Sequence, residues 1–380
     1  MCGFKRFFPI DIKFIATLWR MKLILFLCAA FAACRPVAAS QNWTVQTSGR
    51  DTNLRGVSAA WISEGGDVMR PVVWASGSNG VVLRSVDEGK SWNRLVVAGG
   101  EMLDFRGIWA FDEKTAYLIS SGEGDKSRIY KTTDGGESWK MQYTDARKEF
   151  FLDSLACLNR TTCYALGDPM DGKFVLLNTT DGELWNRIAR ENLPKAMEGE
   201  GAFAASNRCL LLDGNEIYFV SGGTVARVFH SSDRGKSWEV ISTPMAQGPA
   251  GAGIFAIAKS GKTMVIVGGN YKEPKATHGV AAYSTNKGKT WTLAESQPGG
   301  YRSGVAAMNG QMIFAVGTNG TDVSEDGGVH WKAATSFNLN AATVLNDFHL
   351  WAVGPKGAIA IFQNPRKGPR VGGTDSAKVR

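Results

Sequence analysis

The sequence predicts an all-β protein, a seven-bladed β-propeller built from four-stranded antiparallel blades. A turn motif of eight residues, called the box below, occurs six times, as in Thr132–Trp139, and its third copy is one residue shorter. The boxes recur every 40 to 53 residues, a repeat length typical of propeller blades. No segment has a sustained helical period, so helices should be scarce. The central Asp or Asn of each box is, in chain order, Asp87, Asp134, Asp181, Asp233, Asn286 and Asp326.

Each box predicts a turn between two antiparallel strands. Its carboxylate or amide can accept hydrogen bonds from backbone N–H groups two or more residues further on, and its Gly can adopt a positive φ. The Trp that closes the box can begin the next strand and cover the turn. Because one catalytic centre would not need six copies, we interpret the boxes as structural and not as catalytic acids.

The strands of each unit follow the same order. A first strand of small residues, such as Gly107–Ala110, precedes an apolar second strand, such as Ala116–Ile119. The third strand leads into the box, and the box Trp opens the fourth. Small residues suit the first strand because the blades converge at the centre of a propeller.

The ring is predicted to close through the N-terminal end of the repeat region. After the sixth box, residues 341–344, 350–354 and 358–362 provide three strands without a fourth. Trp43–Gln46 resembles a box Trp strand without its box, and we expect it to complete the seventh blade. The alternative, six blades with ragged ends, would leave two exposed sheet edges, which folded proteins avoid.

The charge distribution argues against a nucleic-acid partner. The chain of 380 residues has a formal net charge of +8, but residues 1–39 and 364–380 carry the excess of basic residues. Residues 40–363 are near neutral, so the propeller lacks the basic surface that nucleic acids require. The basic tail, residues 364–380, has no apolar period and is predicted to be disordered. We expect a monomer.

The N-terminal residues 1–39 read as a signal peptide. A basic residue and a short apolar run follow Met21, which is a plausible true start, and a small-x-small site precedes Ser40. We therefore expect an exported protein, periplasmic or extracellular, with no transmembrane span after cleavage. An uncleaved anchor and a lipid anchor at Cys34 are the alternatives.

Three cysteines lie outside the leader. Export favours a disulfide between Cys157 and Cys163, which flank a short polar turn, and leaves Cys209 free and buried. The chain has no Cys-x-x-Cys motif and no Cys/His cluster. We expect neither a metal nor another cofactor.

The boxes resemble the Asp-box (BNR) repeats of sialidases and related propellers. In spacing and in its small first strands, the chain looks more like the photosystem II stability/assembly factor-like propellers, over residues 42–363. The segments that carry this second resemblance are Asp104–Gly107, Leu166–Pro169, Gly199–Asn207 and Gly300–Gly304. It implies a non-catalytic assembly or stability role.

The candidate site lies on the face opposite the boxes, where first strands begin and second strands end. The predicted starts of first strands are Arg55, Arg106, Asp153, Glu200, Ala252 and Arg302. We expect Arg55, Arg106 and Arg302 to converge there as a ring that acids only partly neutralise, which suits an anionic ligand. Asp153 and Glu200 are expected across the channel mouth from the arginines. A solvated rim of mutually paired charges is the alternative reading. The further candidate ligand-binding residues are Asp153, Glu200, Tyr301, Asp168, Asp171, Tyr271 and Lys272.

The leading functional hypothesis is a non-catalytic propeller that binds a protein or a polar or anionic ligand, carbohydrates included, at the channel mouth. The alternative is a glycoside hydrolase that uses the same face, with Asp168, Glu200 and Tyr271 as candidate catalytic residues. Sialidases use an Arg triad with a Tyr nucleophile, but the F/Y-R-I-P motif is absent here. Other glycosidases use two carboxylates, for which Asp168 and Glu200 are the candidate pair.

Overall fold

A computed structural model describes residues 42–63 and 69–364, and these residues form a seven-bladed β-propeller. The predicted fold class is confirmed. In the part of the chain that the structure describes, there is no α-helix, and the helical turns are three short 3-10 segments: Gly124–Lys126, Arg190–Asn192 and Pro355–Gly357. The predicted leader and all but the first residue of the predicted tail lie outside the described residues. No helix of the described ranges is long and apolar enough to cross a membrane.

The blades follow one another along the chain, and each runs from an inner first strand to an outer fourth strand. Blade one contains β2 (Leu54–Ser63), β3 (Met69–Gly77), β4 (Val82–Ser85) and β5 (Asn93–Leu95). Blade two contains β6 (Phe105–Ala110), β7 (Ala116–Ser120), β8 (Arg128–Thr132) and β9 (Lys140–Thr144). Blade three contains β10 (Leu152–Cys157), β11 (Cys163–Met170), β12 (Lys173–Thr179) and β13 (Asn186–Arg187).

Blade four contains β15 (Leu210–Asp213), β16 (Glu216–Val220), β18 (Arg227–Ser231) and β19 (Glu239–Ser242). Blade five contains β20 (Ala252–Ser260), β21 (Thr263–Asn270), β22 (Ala281–Ser284) and β23 (Thr292–Leu293), and it is extended by β14 (Glu200–Gly201) and β17 (Gly222–Gly223). Blade six contains β24 (Gly304–Ala307), β25 (Ile313–Gly317), β26 (Gly320–Ser324) and β27 (Lys332–Thr335). Blade seven contains β28 (Ala341–Val344), β29 (His349–Val353), β30 (Ala358–Gln363) and β1 (Trp43–Thr47).

The N-terminal strand closes the ring as predicted. β1 pairs antiparallel with β30, and Trp43 stands opposite Phe362. The indole of Trp43 packs on the rings of Phe362 at 5.4 Å and Phe314 at 5.8 Å, measured between centroids. The fourth strand of the last blade thus comes from the start of the repeat region, which confirms seven blades and excludes six with ragged ends.

The apolar side chains of the strands are buried between neighbouring blades. Blade seven, for example, places Trp351 and Ile359 against Val73 and Leu83 of blade one, in a buried cluster that also seals the point of closure. Similar clusters lie between the other adjacent pairs. Each blade is therefore stabilised mainly by its neighbours, as expected where a single sheet cannot bury both its faces.

The box turns lie between third and fourth strands, and in each of them the first Ser or Thr donates a hydrogen bond to the central Asp or Asn. In the second box, the Asp134 carboxylate accepts from the Ser138 N–H at 3.0 Å and from the Ser138 hydroxyl at 2.5 Å. The Thr132 hydroxyl donates to Asp134 at 2.8 Å and accepts from the Gly136 N–H at 2.9 Å. The bonds from Ser138 lower the pKa of Asp134 to about 2. A turn with its polar groups satisfied in this way explains the repetition of the motif.

Blade three contains a disulfide between Cys157 and Cys163, which stand directly opposite each other on β10 and β11. The third cysteine, Cys209, is buried and reduced. The bond ties together the two inner strands of the blade next to the turn at residues 158–162.

Blade four departs from the sequence-based expectation. Its first strand is β15, which begins at Leu210, whereas the sequence analysis placed the start of a first strand at Glu200. Glu200–Gly201 instead pairs with Gly222–Gly223 at the edge of blade five. The reason is that residues 202–208 leave the sheet and enter the centre of the ring. We call residues 202–208 the plug.

Candidate functional site

The first strands of four blades contain a β-bulge at the point where they enter the ring. The ladder between first and second strands skips one residue in each of these blades, and the bulged residues are Arg55, Arg106, Asp153 and Phe255. In blades six and seven, Ser303 and Asn340 hold the corresponding position, immediately before the first strand. A bulge redirects a side chain out of the regular alternation of the sheet. All six side chains line one central cavity.

This cavity has a volume of about 590 Å³, within the range of about 300–1,000 Å³ that is typical of small-molecule sites. We call it the central pocket. Besides the bulged residues, Asp168, Tyr271 and Thr318 contribute to its walls, at or just after the ends of second strands. Because successive strands of a blade run in opposite directions, the starts of first strands and the ends of second strands share one face. The central pocket thus opens opposite the boxes, on the face that the sequence predicted.

The plug forms the floor of the central pocket and bonds to several blades. The Arg106 guanidinium donates to the carbonyl of Ala204 at 3.1 Å. The Asn207 side chain accepts from the Leu155 N–H at 2.7 Å and donates to the Leu155 carbonyl at 3.0 Å. The Arg208 guanidinium reaches the Thr343 hydroxyl of blade seven at 3.1 Å. These bonds connect the plug to blades two, three and seven, so they fix its position at the floor of the central pocket.

Two guanidinium groups stand on one side of the central pocket, but only one has a carboxylate partner. The Arg106 Nε donates to Asp104 at 2.7 Å, and Asp104 also accepts from the Ser78 hydroxyl at 2.9 Å. The Nε of Arg55 is buried and has no hydrogen-bond partner among the described residues. Burial, followed by the charge of Arg106, lowers the pKa of Arg55. Arg55 is therefore the cation that is left for a ligand.

Two carboxyl groups, Asp153 and Asp168, stand in the wall formed by blade three. Asp153 is 1% exposed, and neither of its carboxylate oxygens has a partner among the described residues. Asp168 accepts one hydrogen bond, from the Ala202 N–H of the plug at 2.9 Å. Burial is the main cause that raises the pKa of both groups, to about 6 for Asp168, and the charge of Asp168 adds to the shift of Asp153. The two carboxyls therefore disfavour being ionised together.

An aromatic wall completes the central pocket. Phe203 of the plug stacks on Phe255, with ring centroids 3.9 Å apart and an interplanar angle of 7°. Tyr301 meets the edge of Phe255 at 4.8 Å, and Tyr271 approaches it at 6.3 Å. Tyr301 is buried, whereas Tyr271 is 49% exposed. An apolar side chain of a ligand would find its contacts here.

The predicted ring of three arginines is wrong for Arg302. This side chain is 2% exposed, forms an ion pair with Asp322 inside blade six and donates to Asn319 at 2.7 Å. Arg55 and Arg106 directly precede the first glycine of their strands, whereas Ser303 separates Arg302 from Gly304. A shift of one residue along a strand moves a side chain to the opposite face. Ser303 therefore lines the central pocket, and Arg302 is buried within the blade.

Glu200 does not stand across the mouth from the arginines, as the sequence analysis expected. Its carboxylate forms an ion pair with Arg227 and accepts from the Ser221 hydroxyl at 2.5 Å and from the Met197 N–H at 2.8 Å. Both oxygens are thus engaged, and Glu200 does not line the central pocket. The predicted carboxylate pair of Asp168 and Glu200 is therefore not brought together in the central pocket, and the sialidase version lacks its third arginine.

Two other predicted ligand-binding residues lie outside the central pocket. Asp171 is exposed and forms an ion pair with Arg190 at 2.8 Å. The Lys272 ammonium lies over the ring of Tyr271, 6.0 Å from the ring centroid. The predicted residues that the structure does bring together in this pocket are Arg55, Arg106, Asp153, Asp168, Tyr271 and Tyr301.

Sequence reasoning missed the plug and several lining residues, namely Phe151, Phe203, Phe255, Ser303 and Asn340. One signal could have found Phe255, because Phe255–Ala256 occupies the place in its strand that Arg55–Gly56 occupies in blade one. The sequence analysis had placed Ala252 at that point, three residues too early.

Comparisons with known proteins agree with this architecture. No family model matches the chain. Over 73 residues it is 34% identical to the photosystem II assembly lipoprotein Ycf48 of Synechococcus sp. (strain CC9902), and the match covers 19% of this chain and 21% of that protein. Such a match thus spans about a fifth of the relative's length.

Two solved structures extend the likeness to the whole propeller. The structure titled YCF48 bound to D1 peptide has a TM-score of 0.60 at 13% identity, and covers 85% of this chain and 97% of its own. YCF48 from Cyanidioschyzon merolae has a TM-score of 0.59 at 17% identity, with 86% and 100% covered. At these identities the likeness establishes the shared propeller fold.

Proposed function

We propose that this chain is a non-catalytic binding protein whose central pocket takes a segment of a partner protein and holds an anionic group of that segment on Arg55. The observation that carries the proposal is the buried Nε of Arg55, which has no partner among the described residues, on a side chain that lines the central pocket. A buried donor without a partner costs about 1–3 kcal/mol. A carboxylate of the ligand would remove this cost and form a charge-assisted hydrogen bond.

A second cavity next to the central pocket favours an extended ligand over a compact one. It has a volume of about 520 Å³ and shares Asp168, Ala202 and Phe203 with the central pocket. Its other walls include Met197, which is exposed, and several glycines. A peptide segment whose acidic group is on Arg55 could continue over Phe203 into this groove.

The solved structure of YCF48 bound to D1 peptide supports a peptide as the class of ligand, because that propeller of the same fold binds a peptide. By extension, we propose an assembly- or stability-factor role towards a partner protein. We also propose that the chain is exported, which the leader-like N-terminus and the Cys157–Cys163 disulfide support.

The proposal can be tested with an immobilised peptide array in which each sequence occurs in acidic, amide and basic versions. We expect the wild-type protein to retain acidic peptides and Arg55→Ala to bind the same peptides about 10- to 100-fold more weakly, equivalent to about 1.5–3 kcal/mol. Arg190→Ala is the matched control, since Arg190 is exposed, paired with Asp171 and outside the central pocket.

Retention of the acidic peptides by Arg55→Ala at wild-type strength would place the ligand elsewhere. Failure of the wild-type protein to retain any peptide would overturn the proposed function.

A further inference from the structure

Asp153 has surroundings that set it apart from the other bulged residues. Arg106 has Asp104 and the Ala204 carbonyl, and Ser303 donates to the Asn340 carbonyl at 2.8 Å. Asn340 donates in turn to Asn53 and to the Leu54 carbonyl. Asp153 alone among the carboxylates of the described residues has both oxygens buried without a partner.

No cation among the described residues forms a hydrogen bond or an ion pair with Asp153. Asp168 of blade three and Cys209, which directly follows the plug, lie near it, and neither can supply a positive charge. The Asn207 amide is engaged by the backbone of Leu155. The charge of Arg106 reaches Asp153, but the hydrogen bonds of Arg106 go to Asp104 and to the plug. The site therefore has an acceptor that no described residue fills.

We propose that Asp153, together with Asp168, binds a cationic N–H donor of the same ligand, the ammonium of a Lys or the guanidinium of an Arg. This inference rests on the proposed function and deepens it. The central pocket has a cationic side at Arg55 and an acidic side at Asp153, and Arg106, held by its own partners, lies within electrostatic reach of both. The ligand segment that fits carries one acidic and one basic side chain a few residues apart.

The geometry favours an organic cation over a metal ion. Ca²⁺ takes six to eight oxygen ligands, several of them from the protein, and Mg²⁺, which one or two carboxylates can hold, keeps several of its waters. The described residues contain no group of three or more His, Cys, Asp or Glu side chains placed to hold a metal. One ammonium or guanidinium group can satisfy two neighbouring carboxyls directly, because it offers at least three N–H donors.

The test uses short synthetic peptides of Ala and Gly that contain one Glu, one Lys, or both at increasing separations, with affinities measured by calorimetry on the full chain. We expect a peptide with both residues, at the best separation, to bind about tenfold or more tightly than the peptide with Glu alone. In Asp153→Asn the gain from Lys should disappear, measured within that variant as the ratio of its affinities for the peptide with both residues and the peptide with Glu alone. Asp171→Asn is the control, because Asp171 is an exposed acid outside the central pocket.

The variants keep this inference separate from the proposed function. Asp153→Asn nearly preserves the shape of the side chain and removes a buried charge, so the variant should fold, and Asp168→Asn provides a second test. If Glu matters through Arg55 but Lys adds nothing, the acidic subsite is refuted and the proposed function stands. If neither peptide binds, the proposed function fails as well. If the gain from Lys is lost on addition of EDTA, the acidic subsite is a metal site and the inference is wrong.

Discussion

The two faces of the propeller are built on opposite principles. On the box face, six turns repeat one pattern of hydrogen bonds, and a Ser or Thr at the start of each box bonds to the central Asp or Asn. On the pocket face, six blades each place one residue at the same point of the chain, where the first strand begins. That position is filled by Arg55, Arg106, Asp153, Phe255, Ser303 and Asn340.

The difference indicates that the box face contributes to the stability of the fold and the pocket face to the specificity of ligand binding. The box residues satisfy each other and the backbone, so they have little left to offer a ligand. The pocket face uses the same position of the chain in six blades but varies the side chain at that position. Two of its charged groups, Arg55 and Asp153, have buried atoms without partners among the described residues. Buried polar atoms of this kind destabilise a fold, so their presence indicates a role in binding.

The largest predicted effect separates two arginines that look alike in the sequence. Asp322→Ala should lower the free energy of unfolding by about 3–5 kcal/mol, because it leaves the Arg302 charge buried and unpaired. Arg55→Ala should leave that free energy unchanged or raise it, because it removes a buried donor without a partner. Urea unfolding of both variants measures the difference.

Peptide binding provides the reciprocal test of this pair. The folded fraction of Asp322→Ala should bind acidic peptides like the wild type, since Arg302 does not line the central pocket. If Asp322→Ala were harmless to stability while reducing affinity, Arg302 would belong to the site after all.

The second prediction concerns the pH dependence of the pocket acids. The folded-state pKa of Asp168, about 6, lies above the value of about 3.9 for an unfolded Asp. Ionisation therefore penalises the folded state, and the penalty is absent below about pH 4 and grows as the pH rises through about 6. Asp168→Asn can keep the hydrogen bond from Ala202 and should stabilise the protein by roughly 1–3 kcal/mol at pH 8.

Urea unfolding of Asp168→Asn and the wild type at several pH values checks this expectation. The advantage of the variant should shrink towards zero as the pH falls to about 4. A variant that is destabilised equally at pH 5 and pH 8 would show that Asp168 serves mainly as a structural acceptor for the plug.

The sequence predicted the repeated part of the molecule well because repetition shows what each position must do. Box spacing, strand order and the orphan strand at Trp43 led to seven blades and to the correct partner for β1. The face and six of the lining residues also followed, because antiparallel topology places the starts of first strands on one side.

The errors occurred where one residue of register or one irregular segment decides the outcome. Arg302 lies one residue before the bulge position, and that single step places its side chain inside the blade instead of in the central pocket. The prediction for Glu200 was wrong for another reason, since the plug precedes the first strand of blade four and that strand begins only at Leu210. The plug itself follows no repeat, and its bonds to distant blades depend on contacts that sequence spacing does not encode.

The smallest predicted effect lies on the box face and uses a natural variation within the chain. The fifth box has Asn286, whose Oδ1 accepts from the Thr290 N–H at 3.0 Å while its Nδ2 donates to the Thr290 hydroxyl at 2.8 Å. In the second box, Asp134 accepts both equivalent bonds, and these lower its pKa to about 2. An amide thus preserves the turn but not the charge-assisted bond.

We therefore expect Asp134→Asn to lower the melting temperature slightly at pH 7 and Asn286→Asp to raise it slightly. A carboxylate whose pKa falls from about 3.9 to about 2 on folding contributes stability above about pH 4, and this contribution is lost as the pH falls towards 2. Both differences should accordingly vanish in acid, as the effect of Asp168→Asn does, but the charged carboxylate stabilises the fold at Asp134 and destabilises it at Asp168. Neither variant should change peptide affinity, since the boxes lie on the other face. A shift in melting temperature that persists at pH 2, or a loss of peptide binding, would show that the two faces are not independent.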